Sequence, residues 1–306
     1  MVLNRKRKSD MNKEELIKRI ENNVDFTSDK YWDGFWERQK NEGGRTDLGV
    51  GGEDPDAASG ALAQTHAFLW SGRTGNPNDP DRRLDLTVSE KKDWYGYVLT
   101  DEISGLCLSS DTLVNGYRWE RKAVLDGVIL PLIREYGEAE YRAMQEDFVR
   151  TAYTIGGLTV FPYRPKKESI NSVRGMDTYL ADRVDLTMEW IRRYYFGEKT
   201  DLSERTAGVL EKNADFFALF GEGRDGFKAF VDFFFLNDLV SADYASVPVF
   251  FGDGGFTRGG FPQTPQEWLT WREKATAFVK ARNARILRAL KDGTIDRRKT
   301  ENFCCQ

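Results

Sequence analysis

The chain has 306 residues, 40 % of them hydrophobic and 31 % charged, with 45 Lys and Arg against 49 Asp and Glu for a net charge of −4. That balance belongs to a globular protein with a substantial core, and it gives no global electrostatic reason to bind nucleic acid or an anionic membrane. A single histidine excludes His-rich metal sites and zincins, and Cys107, Cys304 and Cys305 are too few and too badly spaced for a disulfide framework or a structural zinc site.

Residues 1–10, MVLNRKRKSD, read as a disordered basic tail, and the amphipathic MNKEELIKRIENN that follows has no apolar signal core. No run reaches the length of a membrane span, so the chain is expected in the cytoplasm, with no membrane partner. SDKYWDGFWERQK reads as a second helix with Tyr31, Trp32, Phe35 and Trp36 on one side. Residues 41–58 form a Gly- and Asp-rich loop. Gly49, Gly51 and Gly52 in it do not make a phosphate-binding loop, since no Gly-Lys-Ser/Thr ending and no preceding strand accompany them.

A helix around residues 58–70 carries His66 in an apolar setting, the usual place of a core or interface histidine. The runs LDLTVSE, WYGYVLT and GLCLSSD, separated by turn residues, predict a small antiparallel meander. AVLDGVILPLIREYG is a helix kinked or split at Pro131. EAEYRAMQEDFVRTAYTIGG is a helix stopped by its glycine pair, and LTVFPY returns as a strand.

The stretch from Tyr153 to Tyr195 organises the rest. On a wheel, the helix predicted after Gly175 has an apolar arc of Leu180, Val184, Met188, Ile191 and Tyr195 and an aromatic arc of Tyr179, Leu186, Trp190 and Tyr194. Arg183 falls inside the second arc, so it stacks on rings, meets a buried carboxylate or waits for an anionic ligand. Asp182, Asp185 and Glu189, followed by Arg192 and Arg193, occupy the opposite face. Acid early and base late suits the helix dipole, and the plain reading of that stripe is a solvated, self-paired surface.

DLSERTAGVLEKNADFFALFG opens with Asp201 and Glu204 at capping-box spacing and closes at Gly221. GRDGFKAFVDFFFLNDLV is apolar nearly all round, and its Asp232 and Asp238 need partners that Arg183 or Arg174 would supply. Thr264, Pro265 and Glu267 start a long helix that runs to Gly293. The expected architecture is a predominantly helical α+β protein with a small antiparallel β meander in the N-terminal half and a helical C-terminal half. It forms one domain over residues 11–292, with helices before residue 58 peripheral and a flexible tail at 293–306.

YTIGGLTVFP, INSVRGMDTYLADRVDLTMEWIRRYY, ADFFALFG, FVDFFFLNDLV and VKARNARI together resemble an uncharacterised family of bacterial proteins of unknown function, over roughly residues 60–290. The shared pattern falls on Ile170, Asn171, Arg174, Gly175, Ala181, Asp182, Arg183, Asp185, Leu186, Thr187, Glu189, Ile191, Arg192 and Arg193. Phe161, Pro162, Tyr163, Arg164 and Pro165 depart from the family's Phe-Pro-Gly-Asn-Arg turn. The resemblance implies a shared fold and no particular reaction; a role in stress response or phage defence suits proteins of this kind.

Two functions suit these residues. In the first, Arg164, Asn171, Arg174 and Arg183 seat the anion of a phosphate-bearing small molecule or nucleic acid. Asp182, Asp185 and Glu189 then do base or metal work, with Asp185 and Glu189 holding magnesium or manganese. In the second, the protein is a non-enzymatic binding or regulatory module whose charges form a structural ion-pair network. Nucleophilic catalysis lacks a Gly-x-Ser-x-Gly elbow, and Cys107 lacks a recognisable base apart from the distant His66.

Overall fold

The computed structural model describes residues 11–33, 35, 54–91, 96–114, 125–164, 168–170, 173, 183–198, 202–248 and 262–295. Helix α1 (Lys13–Glu21) is capped by Asn12, whose side chain accepts from Glu15 N at 2.8 Å, and it buries Leu16 and Ile20, one turn apart. Helix α2 (Asp29–Trp32) starts at Ser28. The remainder of the predicted second helix, Asp33 and Phe35 apart, and loop residues 41–53 lie outside the described residues. Helices α3 (Pro55–Ala58) and α4 (Gly60–Trp70) are separated by Ser59, whose hydroxyl accepts from Leu62 N at 3.2 Å. A side-chain cap at that point restarts the helix two residues later than the apolar pattern suggests.

The predicted meander is present as β1 (Leu86–Lys91), β2 (Gly96–Asp101) and β3 (Cys107–Thr112), and LTVFP joins it as β4 (Leu158–Pro162). All neighbours are antiparallel in the order β1-β2-β3-β4, with Leu99 opposite Leu108 and Ser110 opposite Val160. Pro162 ends an outer strand, where its missing N–H costs the ladder little. Gly96 has no room for a side chain: a Cβ there would sit 2.6 Å from the Ala57 carbonyl, so α3 crosses directly over the start of β2.

A π-helical turn (Leu125–Ile129) leads into α5 (Leu130–Tyr136), and Pro131 sits in the first turn of the α-helix. The proline thus marks where one helical pitch changes to another. Helix α6 (Glu138–Ala152) follows, then a 3-10 turn (Ile155–Gly157) that delivers the chain into β4.

The C-terminal half is helical: α7 (Val184–Phe196), α8 (Glu204–Lys212), α9 (Ala214–Phe217), α10 (Gly223–Phe233) and α11 (Pro265–Lys291). The stretch predicted as one helix from Asp201 breaks at Asn213, whose Nδ2 donates to the Val209 and Glu168 carbonyls, both at 2.8 Å. Its N-cap is Ser203, accepting from Thr206 N at 3.2 Å, in place of the expected Asp201. The start of α11 is as the sequence predicts: Thr264 accepts from Glu267 N at 3.2 Å, Glu267 reaches back to Gln263 N at 2.7 Å, and Pro265 opens the helix.

Between α7, α9 and α10 lies a block of phenylalanines, with Phe233 and Phe234 centroids 4.9 Å apart and Phe220 and Phe230 at 5.2 Å. Trp70, Trp268 and Trp271 are fully buried in the same apolar cluster. The chain is therefore α+β and mainly helical, with its sheet in the N-terminal half. Among the described residues no helix is long and apolar enough to cross a membrane.

Candidate functional site

Arg183 is not within a helix. It is the residue before α7, with φ −74° and ψ 82°, and its carbonyl accepts from the Thr187 amide at 3.1 Å and hydroxyl at 3.2 Å. Side chains two apart on a helix point to different sides. The non-helical backbone of Arg183 lets its guanidinium meet Asp185 in a two-pronged bond, Nε to Oδ1 at 2.7 Å and Nη2 to Oδ2, with both residues fully buried. The negative group that this arginine meets is its own near neighbour, and neither Asp232 nor Asp238 takes that role. Asp232 pairs with Lys228 one turn away and accepts from Tyr244 Oη at 2.7 Å, while Asp238 is held by Arg285.

Of the stripe read as solvated surface, Asp185, Glu189 and Arg192 are buried and Arg193 is half-buried. Glu189 is 6 % exposed and Arg192 8 %, because α7 packs against both α10 and α8 and has little face left for water. Glu189 accepts two bonds from Arg192 and one from Arg193, all at 2.8 Å. Arg192 continues to Glu198 at 2.7 Å and lies 4.9 Å over the Phe196 ring. Gly197, left-handed at φ 73°, ends α7 and turns the chain so that Glu198 reaches back to this arginine. The hydrogen bond to Glu189, followed by that to Glu198, holds the Arg192 guanidinium above its ordinary range, and Arg192 in turn holds the Glu198 carboxyl below its own.

Asp185 and Glu189, the expected metal ligands, thus accept from guanidiniums where a cation would have to bind. Among the described residues no three His, Cys, Asp or Glu side chains group closely enough to hold a metal ion. Asp182, Asn171 and Arg174 lie outside the described residues. Arg164 is elsewhere, half-buried after β4 and paired with Asp215 of α9. The described candidates therefore fall into a buried network on α7 and an isolated arginine at the end of the sheet.

Two buried groups have partners that the sequence reading did not supply. His66 is fully buried, as a core histidine should be, with its Nε2 3.0 Å from Ser110 Oγ. This contact has the makings of a serine–histidine pair and lacks its chemistry. The Trp70 indole can only donate, and it donates to His66 Nδ1 at 3.1 Å. The ring proton is therefore on Nε2, aimed at the serine, where a general base would need a lone pair. Burial, then the nearby charge of Arg282, pushes the imidazole down to about 3, so it stays neutral.

Arg282 is also fully buried and has no carboxylate partner among the described residues. Its Nε donates to Phe234 O at 2.9 Å, and its Nη1 donates to the Ile155, Gly156 and Leu158 carbonyls at 3.1, 2.9 and 2.7 Å. Burial, then repulsion from Arg73, brings its guanidinium down to about 9. Beside it, Asn283 accepts from Gly156 N at 2.7 Å and donates to Thr154 at 2.9 Å. A signal for this pair is present in the sequence. On a 3.6-residue wheel Arg282 and Asn283 fall on the stripe of Trp268, Trp271, Ala275, Phe278, Val279 and Ile286, so they are polar residues in a buried seam.

No curated protein and no solved structure matches the chain. A family model matches residues 20–286, a span that takes in α7 with its ion pairs, His66 and Arg282. The chain belongs to that family, described as a family of unknown function, DUF6994.

Proposed function

We propose that this protein is a non-enzymatic binding module in which the charges of the central helix hold the fold. The observation that supports this reading is the occupancy of Asp185 and Glu189: both carboxylates are buried and bonded to arginines no more than four residues away in the chain. A metal or base role would require breaking these pairs inside a region that water does not reach, at the cost of an uncompensated buried charge.

The test separates fold from chemistry. Asp185→Ala takes the two-pronged acceptor from the buried Arg183 guanidinium and is expected to lose about 3–5 kcal/mol in urea unfolding, whereas a double change to apolar residues, Arg183→Met with Asp185→Leu, recovers most of it. Magnesium and manganese are expected to leave the wild-type melting temperature unchanged. A cation-dependent rise that Asp185→Asn or Glu189→Gln removes, with the fold intact, would return the acids to catalysis.

One observation favours a phosphate-bearing ligand as what the module binds. Arg82 and Arg164 line one open cleft in which Asp215, paired to Arg164 through Nη2, is the one carboxylate among the lining residues.

A further inference from the structure

The turn between β2 and β3, the residues after β4 and the start of α9 enclose an open cleft of about 420 Å³, lined by Arg82, Ser104, Cys107, Tyr163, Arg164 and Asp215. Its size falls within the roughly 300–1,000 Å³ of small-molecule sites. Its charges do not balance, with two guanidiniums facing one carboxylate. Arg164 gives Nη2 to Asp215 with its Nε shut off from solvent, and among the described residues Arg82 donates only to the Ala218 carbonyl, at a long 3.5 Å. A planar fork with donors unspent suits an oxyanion that accepts from several sides, and phosphate does so better than a single carboxylate. Tyr163 adds a ring beside these cations, a surface on which a flat heterocycle packs.

We propose that this cleft binds a phosphate-bearing small molecule of mononucleotide size, its phosphate taken by Arg82 and Arg164 and its ring laid against Tyr163. Asp215 competes with the phosphate for Arg164 and keeps that side chain oriented while the cleft is empty. A polymer is disfavoured by the net charge of −4. The inference deepens the binding-module reading and rests on it, since it names what the module binds, but it uses none of the residues on α7.

Cys107 lines the cleft and is half-buried, so its thiol reports on occupancy. The full chain is treated with iodoacetamide in the presence of adenosine monophosphate, inorganic phosphate or adenosine, and labelling is read by peptide mass spectrometry, which resolves Cys107 from Cys304 and Cys305. Millimolar adenosine monophosphate is expected to slow Cys107 alkylation several-fold, inorganic phosphate to do so less, and adenosine not at all. Arg82→Ala and Arg164→Ala are each expected to weaken that protection roughly tenfold or more. Asp215→Asn, which removes the competing charge, is expected to strengthen it. That variant keeps the test informative if Arg164→Ala fails to fold. Absence of protection, protection by adenosine equal to that by the monophosphate, or weaker protection in Asp215→Asn would each overturn the assignment. None of these outcomes bears on the urea and metal tests of Asp185, so the cleft and the α7 network fail separately.

Discussion

At the scale of single residues, burial decides what each polar group can do. His66 is held neutral, accepting from Trp70 and donating to Ser110, which lies 3.5 Å from Asp56 Oδ1. Its folded value of about 3 lies below the ordinary 6.5, so the unfolded chain binds the proton first as pH falls. The stabilisation is therefore complete above pH 6.5 and is lost on acidification towards about 3, by a few kcal/mol in all. His66→Gln is expected to flatten the pH dependence of urea stability in that interval. The difference from wild type should already be visible between pH 6.5 and about 5, before most carboxylates titrate. Equal slopes in the two proteins would mean that the ring is protonated in the fold. No spacing of residues revealed this role. The ring's partners come from its own helix and from β3, far along the chain, and only the tautomer that Trp70 imposes distinguishes it from a catalytic base.

At the scale of elements, what could be read in advance was what is local. Thr264, Pro265 and Glu267 announce α11 because a cap is settled by neighbours three residues apart, and the meander follows from short β-rich runs between turns. Lys228 and Asp232 pair at helical spacing, a local fact that the sequence reading passed over in favour of distant arginines. The wheel for α7 went astray at Arg183 because it assumed helix there, and at the acids because neighbours α8 and α10 cover the face it left to water. With the backbone non-helical at Arg183, its side chain meets Asp185. Close packing between elements gives the sharper test here. A Cβ at Gly156 would lie 2.3 Å from the Val279 carbonyl and 2.7 Å from the Asn283 side chain, so the turn before β4 rests directly on α11. Gly156→Ala is expected to cost at least about 3 kcal/mol in urea unfolding, whereas alanine at exposed Gly208, with open space around it, should be neutral or slightly stabilising. A mild effect at Gly156 would show that α11 shifts to accommodate the methyl group.

At the scale of the whole molecule, Arg282 binds the two halves together. Its donors reach the end of α10 on one side and the turn and strand 155–158 on the other, so one side chain ties the sheet to the helical half. Arg282→Met leaves buried carbonyls unanswered and is expected to cost about 3–5 kcal/mol. Arg282→Lys should recover little, since a single ammonium lacks the fork that spans both sides. If lysine restores full stability by urea titration, the carbonyl clamp is not what holds the halves. The helical bias and the compact sheet were foreseeable, yet this clamp was not, because its partners on the sheet side lie more than 120 positions away in sequence.

The docking of α1 on α11 carries a consequence for how the protein is made. Glu21 lies 2.6 Å from Lys291, and the seat for Leu16 and Ile20 is completed by a helix translated some 250 residues later. During synthesis α1 therefore emerges well before the helix face on which it settles, and at nine residues it is too short to persist alone. Its docking waits until the ribosome has delivered α11, so a segment translated some 250 residues earlier becomes native no sooner than that helix.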